Sequence, residues 1–409
     1  MVNYISFFLF ASMLVYFIKG PIDHRKCVVF GALYYFILPI IVGENFFFFD
    51  VSKFDQWFDA YRRIEDEDKL FFLANALLMV LFYILGSALA YRGINKDSLV
   101  SSKVMFSKNA LGMSGSIIIG LVVLAFTSII WFVTKDLFFR GYTDTYNTGL
   151  MGQMASLNLL ILVTVFYTRN VMKKILIFTL LCNSIFLLSM GGRMYVITCA
   201  LFVVFYFFDG KKPPKLLIFL MALLCASLVV TGMLRVGNTN GLSNFVYIAL
   251  AEPVFTSFSA LTFLVIPDNF NLLSLPTNFF NSFLMLAPNI MDYKQYIHVD
   301  IESMGYRYSS PLGATSVFVS LMANFGIIGT YFFMLILGFF VSRFQVSNKI
   351  HVRTLYLMSC ATLPFMFYRD GFGIINKVVF FTGLIIPCIY VFTSKVLTLL
   401  KKGSDRDYY

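Results

Sequence analysis

Few side chains in this 409-residue chain could do chemistry, because only 13% of its residues are charged. The stretch from Arg235 to Gly313 holds many of them and lies between long apolar runs. Within it, Glu252 is the carboxylate set most deeply in apolar sequence, where loss of hydration would suit it to general-base chemistry near neutral pH. His298 is a second candidate base. The alternatives are a structural hydrogen bond for Glu252 and a solvated loop position for His298.

A second set of candidates consists of arginines near the ends of apolar runs, where a planar, permanently charged guanidinium suits phosphate oxygens. Arg193 follows Gly191-Gly192, either a simple tight turn or a helix start whose free N–H groups face an anion. For each arginine the alternative is a pair with a neighbouring acid or a lipid headgroup. The candidates are Arg140, Arg193, Arg235, Arg307 and Arg369, and we predict that at least two of the last four converge on a lipid-linked phosphate or pyrophosphate.

The sequence indicates neither a metal nor a cofactor. No His, Cys and Asp residues have metal-ligand spacing, and no glycine-rich loop marks a nucleotide site. The six cysteines lie in or beside apolar runs without CxxC spacing, so we expect buried thiols rather than disulfides or zinc ligands. The net charge of +11 does not require a nucleic-acid partner, since membrane proteins concentrate Lys and Arg in cytoplasmic loops.

Composition predicts the fold class. Hydrophobic residues make up 59% of the chain and aromatic residues 18%, whereas a soluble domain carries about 25% charged residues. Apolar runs of roughly 17–25 residues, long enough for transmembrane helices, recur along nearly the whole length. We therefore predict an all-α polytopic membrane protein with about 11–13 transmembrane helices, in which residues 1–409 form a single integral membrane domain in contact with lipid.

The distribution of charge predicts the orientation. Six segments rich in Lys and Arg alternate with segments that are acidic or near neutral, which places the C-terminus in the cytoplasm and residues 235–312 outside. Proline removes a helix donor, and an intramembrane carboxylate is costly unless it lines a cavity. We therefore favour a broken or re-entrant element at Glu252-Pro253. The alternative is a hairpin over residues 244–290 that crosses the membrane.

Three features resemble the Wzy-type oligosaccharide repeat-unit polymerases, which include the O-antigen polymerases. They are the Gly191-Gly192-Arg193 turn, the long outward loop, and Ser309-Ser310-Pro311-Leu312-Gly313 followed by Ala323-Asn324-Phe325-Gly326 and Leu337-Gly338. The resemblance implies a glycosyltransferase type C-like fold in the bacterial inner membrane, with a large periplasmic loop and an active site facing the periplasm. It implies inverting, metal-independent transfer between two undecaprenyl-pyrophosphate-linked glycans, donor and acceptor, and a chain-length regulator as a further partner.

Two other functions stay open at the level of sequence. A flippase for lipid-linked oligosaccharide would also be polytopic and basic, but it is expected to show two similar halves with corresponding interrupted helices. The interruptions here cluster in the C-terminal half instead. An O-antigen ligase shares the fold plan of the polymerases, and no feature of the sequence separates the two.

Overall fold

The computed structural model describes residues 2–45, 63–92, 105–106, 111–138, 148–236, 241–269, 271–284, 301, 304–313, 315–370 and 372–404. Within these ranges the chain is almost entirely helical and forms no β-strand. The helices are α1 Val2–Ile18, α2 His24–Ala32, α3 Leu38–Asn45, α4 Asp66–Tyr91, α5 Met113–Thr134, α6 Thr148–Tyr167, α7 Asn170–Ser189, α8 Arg193–Phe208, α9 Lys215–Val236, α10 Gly241–Val265, α11 Thr277–Leu284, α12 Val317–Gln345, α13 Ile350–Thr362, α14 Met366–Arg369, α15 Phe372–Phe380 and α16 Ile386–Ser404.

Two π-helical turns of five residues each, Leu33–Ile37 and Phe381–Ile385, join α2 to α3 and α15 to α16. In the described part of the chain, nine helical stretches are long and apolar enough to cross a membrane. Helices α1 and α8 are apolar but shorter, at 17 and 16 residues. The predicted all-α class is confirmed, and the nine apolar stretches are compatible with a polytopic membrane protein, whereas the count of about 11–13 spans stays a prediction.

Helices α4 and α12 pack with their backbones in close contact. A Cβ atom on Gly86 would lie 1.9 Å from the carbonyl oxygen of Leu335, and one on Gly338 would lie 2.1 Å from that of Tyr83. Small residues at such crossings allow membrane helices to approach closely. The Leu337-Gly338 pair that contributes to the family resemblance therefore has a packing role here.

A buried ion pair holds several helix ends together at one end of the bundle. Asp209, which follows α8, accepts hydrogen bonds from Arg353 Nη2 at 2.7 Å, Tyr356 Oη at 2.6 Å and Gln345 Nε2 at 2.9 Å. The side chains of Asp209 and Arg353 are only 6% and 5% exposed. Burial raises the pKa of Asp209, and Arg353 opposes that shift. A charge buried this deeply is costly unless it is paired, so the pair ties α8 to α13.

The same end of the bundle gathers four of the segments that the sequence assigns to the basic side. The Ile22 amide donates to the Lys211 carbonyl at 2.9 Å, and His24 Nε2 lies 3.1 Å from Ser342 Oγ. Tyr91, beside Arg92, contributes a hydroxyl 3.3 Å from His24 Nε2. The basic segments around Lys26, Arg92, Lys211 and Arg353 thus meet at one end of the bundle.

Val236 and Val317, which flank residues 237–316, lie at the opposite end of the bundle. Helix α9 starts six residues after Asp209, and its 22 residues carry the chain about 33 Å away. Helix α12 ends at Gln345 beside Asp209, so its first residues lie at the far end. The segment 235–312, predicted as one outward unit, therefore has both of its flanks at the same end.

Helix α10 continues through Pro253 without interruption, whereas the sequence favoured a broken element there. A proline lacks the N–H that would bond to the carbonyl of Ala249, four residues earlier. The Tyr34 hydroxyl donates to that carbonyl at 2.7 Å and replaces the missing bond. The proline is tolerated because a different helix satisfies the backbone group that it leaves free.

The helix break lies instead in α12, at Gly326, whose φ of 69° and ψ of −177° are not helical. The backbone groups released by this break bond to residues 271–274: the Ile327 amide to the Asn271 carbonyl at 3.1 Å, and the Ser274 amide to the Phe325 carbonyl at 3.2 Å. A Cβ atom on Gly326 would lie 2.7 Å from the Leu272 backbone. Glycine is required by the backbone angle and by the close approach of the neighbouring segment.

We predict that Gly326→Ala lowers the free energy of unfolding by at least about 1–3 kcal/mol, the cost of a strained backbone, with the steric clash in addition. Thermal unfolding of the detergent-solubilised protein measures the effect. Gly152→Ala is the matched control, because it lies in a helix and its Cβ would meet nothing within 4 Å. Equal melting temperatures for the two variants would contradict the role assigned to Gly326.

We also predict that Tyr34→Phe costs about 1–3 kcal/mol, because it leaves the Ala249 carbonyl without a donor. In a Pro253→Ala background the restored N–H can bond to that carbonyl, so the same Tyr34→Phe change should cost much less. Thermal unfolding of the wild type, both single variants and the double variant measures this coupling. If Tyr34→Phe costs the same in both backgrounds, Tyr34 does not compensate for the proline.

Candidate functional site

Glu252 and Arg369 form an ion pair between α10 and α14. Glu252 Oε1 lies 3.3 Å from Arg369 Nε, with side-chain exposures of 25% and 31%. Within the described ranges, Arg369 Nε is buried and makes no hydrogen bond, so the contact is an ionic attraction without hydrogen-bond alignment. A second carboxylate, Asp370, lies 3.8 Å from Arg369 Nη1. One guanidinium is thus held between two carboxylates.

The π-helical turn Leu33–Ile37 directs two consecutive tyrosines toward α10. The wider turn of a π-bulge alters the direction of neighbouring side chains and is frequent at functional sites. While Tyr34 bonds to the backbone of α10, the Tyr35 hydroxyl donates to Glu252 Oε1 at 3.1 Å. The Tyr35 ring stacks on Tyr368, with ring centres 6.1 Å apart. Tyr35 therefore contacts the carboxylate of the ion pair and the residue beside its arginine.

A cavity of about 430 Å³ lies against this cluster, with Tyr34, Tyr35, Arg193 and Glu252 in its lining. Arg193 is the first residue of α8, and its Nη1 lies 3.5 Å from the Leu228 carbonyl. Among the residues that the structure describes, no carboxylate lies within ion-pair distance of Arg193. The wall of the cavity therefore carries one acid, Glu252, and one arginine, Arg193, that is not paired with any described acid.

A glycine makes room for the Arg193 guanidinium. A Cβ atom on Gly232, in α9, would lie 2.6 Å from Arg193 Nη1. On the other side of Arg193, Gly191 adopts a φ of 93°, which favours glycine. The tight turn predicted from Gly191-Gly192 is present, and it places Arg193 at the start of α8.

The structure brings together three of the residues selected from sequence, Arg193, Glu252 and Arg369. Arg307 lies elsewhere: its amide and carbonyl bond to the Asn269 side chain, and its own side chain is exposed. Arg235 belongs to α9, but its side chain is not among those described. Arg140 and His298 lie outside the described residues.

Sequence reasoning missed Tyr34, Tyr35, Gly232 and Asp370. Asp370 follows Arg369 directly in Tyr368-Arg369-Asp370, and that adjacency was a usable signal. The two tyrosines lie in a long apolar run rich in aromatics, where nothing distinguishes them from core residues. Gly232 has no sequence neighbour that suggests its contact with Arg193.

No known protein family, curated protein or solved structure matches this chain. The described residues contain no group of three or more His, Cys, Asp or Glu side chains that could hold a metal ion. The arrangement offers a proton acceptor at Glu252 and an anion contact at Arg193, both on the wall of one cavity.

Proposed function

We propose that this protein joins undecaprenyl-pyrophosphate-linked oligosaccharide repeat units at the periplasmic face of a bacterial inner membrane, by metal-independent, inverting glycosyl transfer. The observation that carries the proposal is that Glu252, which is paired with Arg369, lines a cavity that Arg193 also lines. Ionisable residues within the membrane-spanning part of a protein are costly to bury, and they are therefore candidates for a functional site by default.

The depth of the cluster in the bundle follows from the number of residues between His24 in α2 and Tyr35 in the π-helical turn after it. His24 lies at the basic end of the bundle, and Tyr35 follows it by 11 residues, or roughly 16 Å of helix. The hydrocarbon layer is about 30 Å thick. If the basic end lies in the cytoplasm, as the positive-inside tendency indicates, the cluster lies about halfway across, and the cavity would have to connect it to the periplasmic interface where the lipid-linked pyrophosphate resides.

In the proposed reaction, a sugar hydroxyl of one lipid-linked repeat unit attacks the anomeric carbon of the growing glycan. The new glycosidic bond forms as the bond to undecaprenyl pyrophosphate breaks, and the hydroxyl proton passes to Glu252. A single displacement inverts the anomeric carbon. Arg193 stabilises the charge that develops on the departing pyrophosphate, an effect that typically contributes several kcal/mol.

The two arginines of the site have different roles in this mechanism. Arg369 is held by Glu252 and Asp370, so much of its charge is already compensated. It positions the Glu252 carboxylate together with the Tyr35 hydroxyl. Arg193 has no acidic partner among the described residues and is the arginine available to an incoming anion. The sequence predicted that at least two arginines converge on the phosphate, and in this mechanism Arg193 binds it while Arg369 positions Glu252.

One observation also favours the flippase alternative. A paired carboxylate and arginine at mid-membrane depth is an arrangement that proton-coupled transporters use. A deletion strain separates the candidates. Loss of a flippase traps single units on the cytoplasmic side, and loss of a polymerase leaves one unit per acceptor. Loss of a ligase leaves the polymer on undecaprenyl.

We predict that cells lacking the protein carry surface glycan of one repeat unit, and that the wild-type gene restores a ladder of longer chains. Arg193→Ala should fail to restore the ladder, with a polymerisation rate lower by about 10²–10³-fold, the usual effect of removing one contact to a developing anion. Gel analysis of the glycan measures the chain length, and the abundance of the variant in the membrane is measured in parallel.

Arg307→Ala is the matched control, since its side chain is exposed and it is not in the lining of the cavity. It should restore the ladder fully. If Arg193→Ala restores it as well while present at normal abundance, the cavity is not the pyrophosphate site. If the deletion strain accumulates units on the cytoplasmic side, the protein is a flippase.

A further inference from the structure

In residues 271–284, two polar side chains of α11 face the protein, whereas most of the apolar side chains face outward, as do Asn271 and Thr277. Asn278 and Ser282 are buried, and Asn376 Nδ2 donates to Ser282 Oγ at 2.7 Å. The outward apolar side chains are large, with exposures between 53% and 83% for Leu272, Leu273, Leu275, Phe280 and Leu284. A segment at a water-exposed surface has the opposite pattern. This surface fits a hydrocarbon environment.

The outward apolar side chains continue a surface that belongs to a candidate membrane span. Helix α12 exposes one side chain on each turn after its break, at Ile328, Phe332, Ile336 and Phe340. The Ile328 amide donates to the Leu272 carbonyl at 3.2 Å, so residues 271–284 adjoin the first turn of that stripe. Since the stripe lies on a helix long and apolar enough to span a membrane, its natural neighbour is lipid.

Non-helical backbone can lie at membrane depth only where protein groups satisfy it. Three backbone groups of residues 271–274, the Asn271 and Leu272 carbonyls and the Ser274 amide, bond to backbone groups at the break in α12. In the first turn of α11, the Phe279 amide donates to Asn324 Oδ1 at 2.7 Å. The broken part of α12 thus satisfies several of the backbone groups that a segment within lipid must have paired.

The part of the chain between Asn269 and Arg307 begins and ends at the same place in the structure. Asn269 Nδ2 donates to the Arg307 carbonyl at 2.7 Å, and the Arg307 amide donates to Asn269 Oδ1 at 3.3 Å. Helix α11 has eight residues, about 12 Å of rise, whereas crossing the hydrocarbon takes about 30 Å. We infer that residues 271–284 are embedded in the bilayer without crossing it, with their apolar face against lipid acyl chains.

This inference does not depend on the proposed glycosyl transfer, and tryptophan fluorescence tests it directly. The two native tryptophans are replaced by Trp57→Phe and Trp131→Phe, and Leu275→Trp or Phe280→Trp supplies a single fluorophore. The protein is placed in phosphatidylcholine vesicles, with quenching by bromines on the acyl chains or by acrylamide in the water. Phe332→Trp is the lipid-facing control and Asp268→Trp is the control outside the candidate spans.

We expect Leu275→Trp and Phe280→Trp to lose roughly half of their fluorescence or more to brominated lipid, as Phe332→Trp does, because a ring in the hydrocarbon lies close to the bromines. Their quenching by acrylamide should be weaker than that of Asp268→Trp. If both variants instead follow Asp268→Trp, with strong acrylamide quenching and weak lipid quenching, residues 271–284 lie in water and the inference is wrong.

The background substitution Trp131→Phe removes a hydrogen bond from Trp131 Nε1 to Asn183, so folding is checked by thermal unfolding. A second measurement needs no such background. Benzoylphenylalanine is introduced at position 275, 280, 332 or 268 of the otherwise native chain and activated by light in the same vesicles. Crosslinks to lipid at 275 and 280, as at 332, support the inference, and their absence at both positions with crosslinking retained at 332 overturns it.

Discussion

The hydrogen bond from the Tyr34 hydroxyl to the Ala249 carbonyl is the contact on which the candidate site depends. Pro253 leaves that carbonyl without a partner inside its own helix, and a free carbonyl in an apolar layer costs several kcal/mol. Helix α10 can therefore pass through Pro253 only while the π-helical turn after α2 lies against it. The next residue of that turn, Tyr35, then reaches Glu252. Two successive residues thus act on α10: Tyr34 bonds to the carbonyl that Pro253 leaves free, and Tyr35 positions the Glu252 carboxylate.

The charges of the site follow from this arrangement. Once Glu252 is fixed on α10, Arg369 at the end of α14 has an acid on one side and Asp370 on the other. Such a guanidinium is well compensated and cannot offer its full charge to a ligand. Arg193 reaches the same cavity from α8, and the absence of a side chain on Gly232 leaves it room. In the proposed reaction, Glu252 accepts the proton and Arg193 binds the anion, so the two tasks belong to different residues.

Much of the fold could be predicted from sequence, because hydrophobicity and the alternation of charge are properties of segments. The helical class and the shared end of the basic segments follow from them. The site was only partly predictable. Glu252-Pro253 was recognised, but whether a proline breaks a helix depends on the partner of one carbonyl, and Tyr34 is 215 residues away in sequence. The break at Gly326 lies inside an apolar run, where nothing in the sequence marks it, and the exposed side chain of Arg307 is not in the lining of the cavity.

The paired bonds between Asn269 and Arg307 close the chain between them at its base. The entropy cost of closing a loop changes slowly with its length. Changes of length between residues 284 and 301 should therefore alter the closing entropy of this loop only slightly. Residues 271–284 are constrained differently, because they bond to the broken part of α12. The Asn269–Arg307 pair thus fixes where the loop begins and ends without fixing how long its interior must be.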